Sequence, residues 1–205
     1  SETISKFSND RTSTFKLHSL SQEKINLIQN NCIEFFINKI KDNSKFLNYE
    51  KTSRVKVFYG DCTEVMKNKL DKKFKIICTS PPYGDNSTTV TYGQSSILSL
   101  KWIDKKDLEC TSEILDRYST IDKISIGGIK REIDNTANIY SLNNYLNRIS
   151  KNKTKKVINF FEDYYNVMKN IENILDRNGF LIMTVGNRRI DSIIQPLDDI
   201  TIEIA

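Results

Sequence analysis

The sequence predicts an α/β fold, with parallel strands joined by crossover helices and interrupted by a long insertion. Three observations lead there. Short apolar segments of strand length recur at Arg54–Tyr59 (RVKVFY), Lys75–Thr79 (KIICT) and Phe180–Val185 (FLIMTV). Helical patterns stand beside them, at 63–70 before the second segment and 157–175 before the third. Between them, residues 85–150 are rich in Ser, Thr, Asn and Lys with scattered apolar positions. Strand, helix, strand, insertion, helix, strand is the order of a parallel sheet.

Taken in chain order, residues 1–15 are polar and read as an irregular arm. Ser19 to about Asp42 reads as one helix, opened by a Ser19-x-x-Gln22 capping box with Glu23 in the first turn. Ile25, Ile28, Cys32, Phe35, Phe36 and Ile40 give it one apolar face. Arg54–Tyr59 alternates polar and apolar residues and predicts a strand, followed by Gly60-Asp61-Cys62 and a helix over Thr63–Leu70. Lys75–Thr79 reads as a buried parallel strand. It stops at Ser80-Pro81-Pro82-Tyr83, because two prolines cannot continue a central strand. The insertion is expected to hold short helices around 104–118 and 140–149, with Trp102 in the core. The long helix is predicted to end at Asn178-Gly179 in a left-handed cap. A further element begins at Ile200. The implied divisions are 1–53 (arm and helix), 54–84 (strand–helix–strand), 85–150 (insertion) and 151–205 (helix–strand).

Composition limits the partners. At 205 residues, 38% hydrophobic and 28% charged, the chain suits one core of moderate size and a wet surface. No apolar run approaches the roughly 20 residues a bilayer demands, and no signal peptide is evident, so a cytoplasmic location is expected. Cys32, Cys62, Cys78 and Cys110 form no C-x-x-C pair, and His18 is the lone histidine, so no metal site is expected. Three of the four cysteines read as buried thiols. A net charge of +5 favours an anionic partner. The lysine run Lys151–Lys156 and the pair Arg188-Arg189 are candidate phosphate contacts, although charge runs are more often solvated faces. The aromatic stripe Phe160, Phe161, Tyr164 and Tyr165 reads as helix packing.

The chemistry concentrates at Thr79-Ser80-Pro81-Pro82-Tyr83. Methylating an exocyclic amine requires its lone pair to be freed from the base ring, and acceptors for its two hydrogens achieve that. The Ser80 hydroxyl and the Pro81 carbonyl are such acceptors, and proline brings no competing N–H. The prolines hold the turn rigid. Tyr83 offers a face on which an extruded base can stack.

This TSPPY segment resembles the catalytic motif of the S-adenosylmethionine-dependent amino-methyltransferases, in the Ser form typical of N4-cytosine DNA enzymes of restriction–modification systems. Gly60-Asp61-Cys62 resembles the segment that precedes this loop in the family, and DRNGFLIMTVGNRR resembles the family's later strand and loop. The resemblance covers about 54–200. It implies a Rossmann-like methyltransferase core, with Ser80, Pro81, Pro82 and Tyr83 catalytic and Asp61, Cys62 and Thr79 at the S-adenosylmethionine site. For Asp61, a helix N-cap role is equally open. Tyr92 and Gln94 lie where related enzymes shape the target pocket and, with Arg188 and Arg189, are candidate DNA contacts. The family's F-x-G-x-G cofactor loop is absent: Gly60, Gly84, Gly93, Gly127, Gly128, Gly179 and Gly186 form no G-x-G. The core is therefore read as incomplete, a fragment or half of a split enzyme, inactive alone. Its expected partners are DNA and either the missing half of the methyltransferase or a restriction endonuclease. Adenine N6, an RNA base amine, and a non-catalytic DNA-binding subunit remain as rival readings.

Overall fold

The computed structural model describes residues 2–7, 18–28, 30–47, 54–58, 60–84, 91–107 and 117–205. In chain order its elements are α1 (Glu2–Phe7), α2 (Gln22–Asn26), α3 (Cys32–Ser44), α4 (Cys62–Asn68), β1 (Phe74–Thr79), α5 (Tyr92–Leu100), α6 (Tyr118–Ile124), α7 (Tyr140–Leu146), α8 (Lys151–Ile174), β2 (Leu175–Met183), β3 (Arg189–Ile190), β4 (Ile193–Ile194) and α9 (Leu197–Ile204), with single 3-10 turns at Lys45–Leu47 and Lys105–Asp107. The chain divides into two units, Ser1–Val57 with Gly93–Tyr118, and Phe58–Tyr92 with Ser119–Ala205.

In the first unit the expected irregular arm is partly helical. The Phe7 ring of α1 meets Phe35 of α3 edge-on at 5.4 Å, and the Lys6 ammonium lies 4.2 Å from the Phe35 ring centre. The single helix expected from Ser19 to Asp42 is two helices, Gln22–Asn26 and Cys32–Ser44. Ser21, not Ser19, is the N-cap, and its side chain makes no capping bond. Ile33, Phe36, Ile37 and Ile40 are exposed, so helical periodicity here sets no buried stripe. The strand expected at Arg54–Tyr59 does not form over the described residues 54–58, and Val55 and Val57 are each 87% exposed. Trp102 is exposed, not core.

The second unit is built on α8. Val157, Phe160, Phe161, Tyr164, Met168, Ile171 and Ile174 recur at three- and four-residue steps and are all buried, the stripe that binds a helix to a core. Leu142 and Tyr145 of α7 and Leu197 and Ile200 of α9 complete that core. The Phe160 and Phe161 rings meet edge-on at 5.1 Å, so Phe160, Phe161 and Tyr164 of the aromatic stripe are packing, while Tyr165 is half-buried outside that core.

β1 and β2 pair in parallel, with Ile76 opposite Phe180, Ile77 opposite Leu181, Cys78 opposite Ile182 and Thr79 opposite Met183. Two parallel strands with a helix in the connection are the arrangement expected, although the sheet has only these two strands among the described residues. Side chains alternate across a strand. Ile77, Leu181 and Met183 pack on the core, whereas Ile76, Phe180 and Ile182 are 61%, 70% and 55% exposed. β1 is thus half-buried rather than buried. Cys62 and Cys78 are exposed and Cys32 is partly so, which corrects the expectation of buried thiols; Cys110 lies outside the described residues.

The long helix does not end in a glycine cap. Leu175 is extended (φ −77°, ψ 136°) and is already paired with Phe74, so α8 runs directly into β2. Asn178 and Gly179 sit in the bulge that separates the Phe74–Leu175 pair from the Ile76–Phe180 pair. A Cβ on Gly179 would lie 2.9 Å from Leu175 Cδ1 and 3.0 Å from the carbonyl oxygens of Asp176 and Phe74, so crowding in the bulge, with β1 close by, explains this glycine. β3 and β4 form a hairpin whose two turn residues, Asp191 (φ 53°) and Ser192 (φ 63°), are both left-handed, as a right-twisted two-residue turn requires.

Candidate active site

β1 delivers the Thr79–Tyr83 loop at its carboxyl end, where ligands bind in open parallel sheets. The Thr184 N–H donates to the Thr79 carbonyl at 3.1 Å, which carries the ladder up to the loop. Ser80 is exposed and Pro81 and Pro82 are half-buried. Tyr83 is 39% exposed. Its ring rests against Gly186, where a Cβ would come within 3.3 Å of the ring carbons. The glycine after β2 therefore lets the tyrosine lie flat on the backbone.

Asp61 is the N-cap of α4. Its carboxylate accepts from the Thr63 N–H at 2.8 Å, the Glu64 N–H at 3.3 Å and the Thr63 hydroxyl. The Thr63 hydroxyl is the main reason its pKa lies below the ordinary value. Partial burial opposes the shift, and the two N–H groups and Lys67 add to it. Asp61 is thus a carboxylate at neutral pH. Although the residue is exposed, desolvation of its sulfur by neighbouring atoms, with Asp61 beside it, raises the Cys62 pKa and keeps that thiol protonated.

These segments share one cavity of about 550 Å³. Asp61, Cys62, Thr63, Glu64 and Lys67 form one wall; Thr79, Ser80, Pro81 and Pro82 form the second. Ile124–Ile126, Ile129 and Arg131 form the third, together with Asp163, Val167 and Asn170 of α8. Six of the residues singled out in the sequence, Asp61, Cys62, Thr79, Ser80, Pro81 and Pro82, are therefore brought together. Tyr83 stands beside the cavity on Gly186. Tyr92 is exposed and does not line it, and Gln94, which belongs to the first unit, is buried. Arg188 and Arg189 line a different cavity.

The third wall was not read from the sequence. Gly127 donates its N–H to Asp163 at 2.9 Å, the Arg131 guanidinium donates to the same carboxylate at 2.8 Å, and the Arg131 N–H donates to Asn159 at 2.8 Å. Glu162 accepts the N–H groups of Asp134 at 3.0 Å and Thr136 at 3.0 Å, the Thr136 hydroxyl at 2.5 Å and the Asn135 amide at 3.1 Å. Burial raises the Glu162 pKa, but these bonds, Thr136 foremost, together outweigh it and hold it below the ordinary value. Asn159 and Glu162 interrupt the apolar stripe of α8 at buried positions. A polar residue on an otherwise apolar helix face was the available signal, since buried polar groups need partners.

Among the described residues, no helix is long and apolar enough to cross a membrane, and no cluster of three His, Cys, Asp or Glu side chains is placed to hold a metal ion. No family model and no solved structure matches the sequence. The chain is 30% identical over 217 residues to the type II methyltransferase M.MvaI of Kocuria varians, in an alignment that covers all of this chain and 48% of that protein. Similar along its whole length to a type II methyltransferase, the chain spans about half the length of that curated relative.

Proposed function

We propose that this chain is the catalytic-loop portion of a restriction–modification DNA methyltransferase that acts on the N4 amine of cytosine. The observation that carries the reading is the placement of Thr79–Pro82 at the carboxyl end of a parallel strand, on one cavity with Asp61. The whole-length similarity to a type II methyltransferase supports it.

In this reading the Ser80 hydroxyl and the Pro81 carbonyl accept the two amine hydrogens, turning the nitrogen lone pair out of conjugation and toward the methyl donor. Their rigid turn holds both acceptors in place before the base arrives. Tyr83, backed by Gly186, stacks on the extruded base. S-adenosylmethionine, when bound, supplies an electrophilic methyl group. The cavity lining suits its adenosine end: Asp61 and Glu64 are acceptors for hydroxyl groups, and Ile124, Ile126, Ile129 and Val167 offer apolar surface for a flat ring. For the methionine end the family resemblance expects a glycine loop, and this sequence holds no G-x-G.

The test is methyl transfer from labelled S-adenosylmethionine, in the assembled enzyme, to duplexes already methylated on every cytosine N4 or every adenine N6. Transfer blocked only by N4-methylcytosine is expected; a block only by N6-methyladenine reassigns the target. Ser80→Ala is expected to lower turnover about 100-fold or more, because loss of alignment alone costs that much. Undiminished transfer in that variant would place catalysis elsewhere.

A further inference from the structure

The lysine run and the arginine pair, far apart in sequence, meet in space. Lys153 and Lys156 of α8 and Arg188 and Arg189 after β2 line one cavity of about 450 Å³ with Asp191. Four cationic residues and one carboxylate line it, and that carboxylate is taken. Asp191 accepts the Ser150 N–H at 2.9 Å, the Ser150 hydroxyl at 2.6 Å and the Lys153 ammonium. Arg189 gives one N–H to the Ser192 carbonyl at 3.0 Å and keeps other donors, since a guanidinium has five. The Tyr145 hydroxyl is buried without a hydrogen-bond partner, within electrostatic range of Arg188 and Asp191.

Position adds what charge alone does not. Gly186, which carries the Tyr83 ring, is two residues from Arg188. Two residues of chain span at most about 7 Å. A base extruded onto Tyr83 stays tied to its own phosphates, so its strand must pass close by.

Resting on the methyltransferase reading, we infer that the Lys153–Lys156–Arg188–Arg189 cavity is a phosphate clamp for the nucleic-acid strand whose base is presented to Tyr83. Its contacts are with the sugar–phosphate backbone, so it sets affinity and strand position without reading sequence.

The experiment follows a fluorescent duplex by anisotropy while salt is raised. Each lost phosphate contact flattens the slope of log affinity against log salt by about 0.9. Lys156→Ala with Arg189→Ala is expected to flatten it by about 1.8. The charge-keeping pair Lys156→Arg with Arg189→Lys is expected to preserve it, which separates charge from folding. Lys72→Ala with Lys75→Ala removes equal charge elsewhere and is expected to leave it unchanged. Equal flattening in both alanine pairs means diffuse charge and overturns the clamp, as does an unchanged slope in the first. Loss of binding to phosphatidylserine vesicles with DNA binding intact also overturns it. A clamp effect in an enzyme that transfers no methyl group would sink the methyltransferase reading and leave the clamp standing.

Discussion

Asp61 occupies a position where two roles coincide, because its carboxylate both starts α4 and lines the cavity. Substitution can separate them. Asparagine caps helices about as well as aspartate, whereas alanine costs about 1 kcal/mol. Asp61→Asn is expected to leave the denaturation midpoint nearly unchanged and Asp61→Ala to lower it. Both are expected to weaken S-adenosylmethionine binding, read by calorimetric titration. Full binding in Asp61→Asn would reduce Asp61 to a cap. Residues of this kind were legible in the sequence because their meaning is local: Asp61 stands one residue before its helix, and Thr79–Pro82 is contiguous. Asp163 and Glu162 were not, since their partners lie 26 to 36 residues away.

At the scale of elements, α8 and the loop before α7 act as a pair. Glu162 ties three successive residues, Asp134, Asn135 and Thr136, to the helix. Glu162→Gln puts an amide N–H against those donors and is expected to cost about 3 kcal/mol in denaturant unfolding. The pH dependence follows from its depressed pKa. The native state holds the carboxylate more strongly than the unfolded chain, so the stabilisation is full above the unfolded value near 4.5 and is lost as pH falls through the native value. Wild type is therefore expected to lose stability between neutral pH and the acid range more steeply than Glu162→Gln. Parallel acid profiles would refute that assignment. The same scale shows why some elements escaped the sequence. Arg54–Phe58 has strand alternation, but a strand exists only within a ladder, and among the described residues no ladder includes this segment. Asn178-Gly179 has the composition of a helix cap, but the glycine answers crowding in the bulge, with β1 close by. The α8 stripe, by contrast, was readable because seven apolar positions agree on one period.

Across the second unit as a whole, burial is lopsided: Phe161 is fully buried, and Phe180 is 70% exposed. Phe161→Ala is expected to cost about 3–5 kcal/mol, and Phe180→Lys less than about 0.5 kcal/mol. The latter is also expected to reduce binding of a hydrophobic dye, since it breaks the apolar face of Ile76, Phe180 and Ile182. A large stability loss in Phe180→Lys would mean that this face is packed in solution. The seamless junction of α8 with β2 has a different consequence. A helix of 24 residues is a rod of about 36 Å. It carries Lys153 and Lys156 near one end and Asp163 and Asn170 beyond, and no loop separates it from the strand that leads to Gly186. Spacing between the two cavities is thereby counted in residues, like graduations on a rule. Inserting a single alanine between Lys156 and Asn159 would advance one cavity by about 1.5 Å and turn it by about 100° relative to the other. Such a chain could keep its core only by shifting one site out of phase. Variation in this family of shapes should therefore tolerate substitutions along the rod and reject changes in its length.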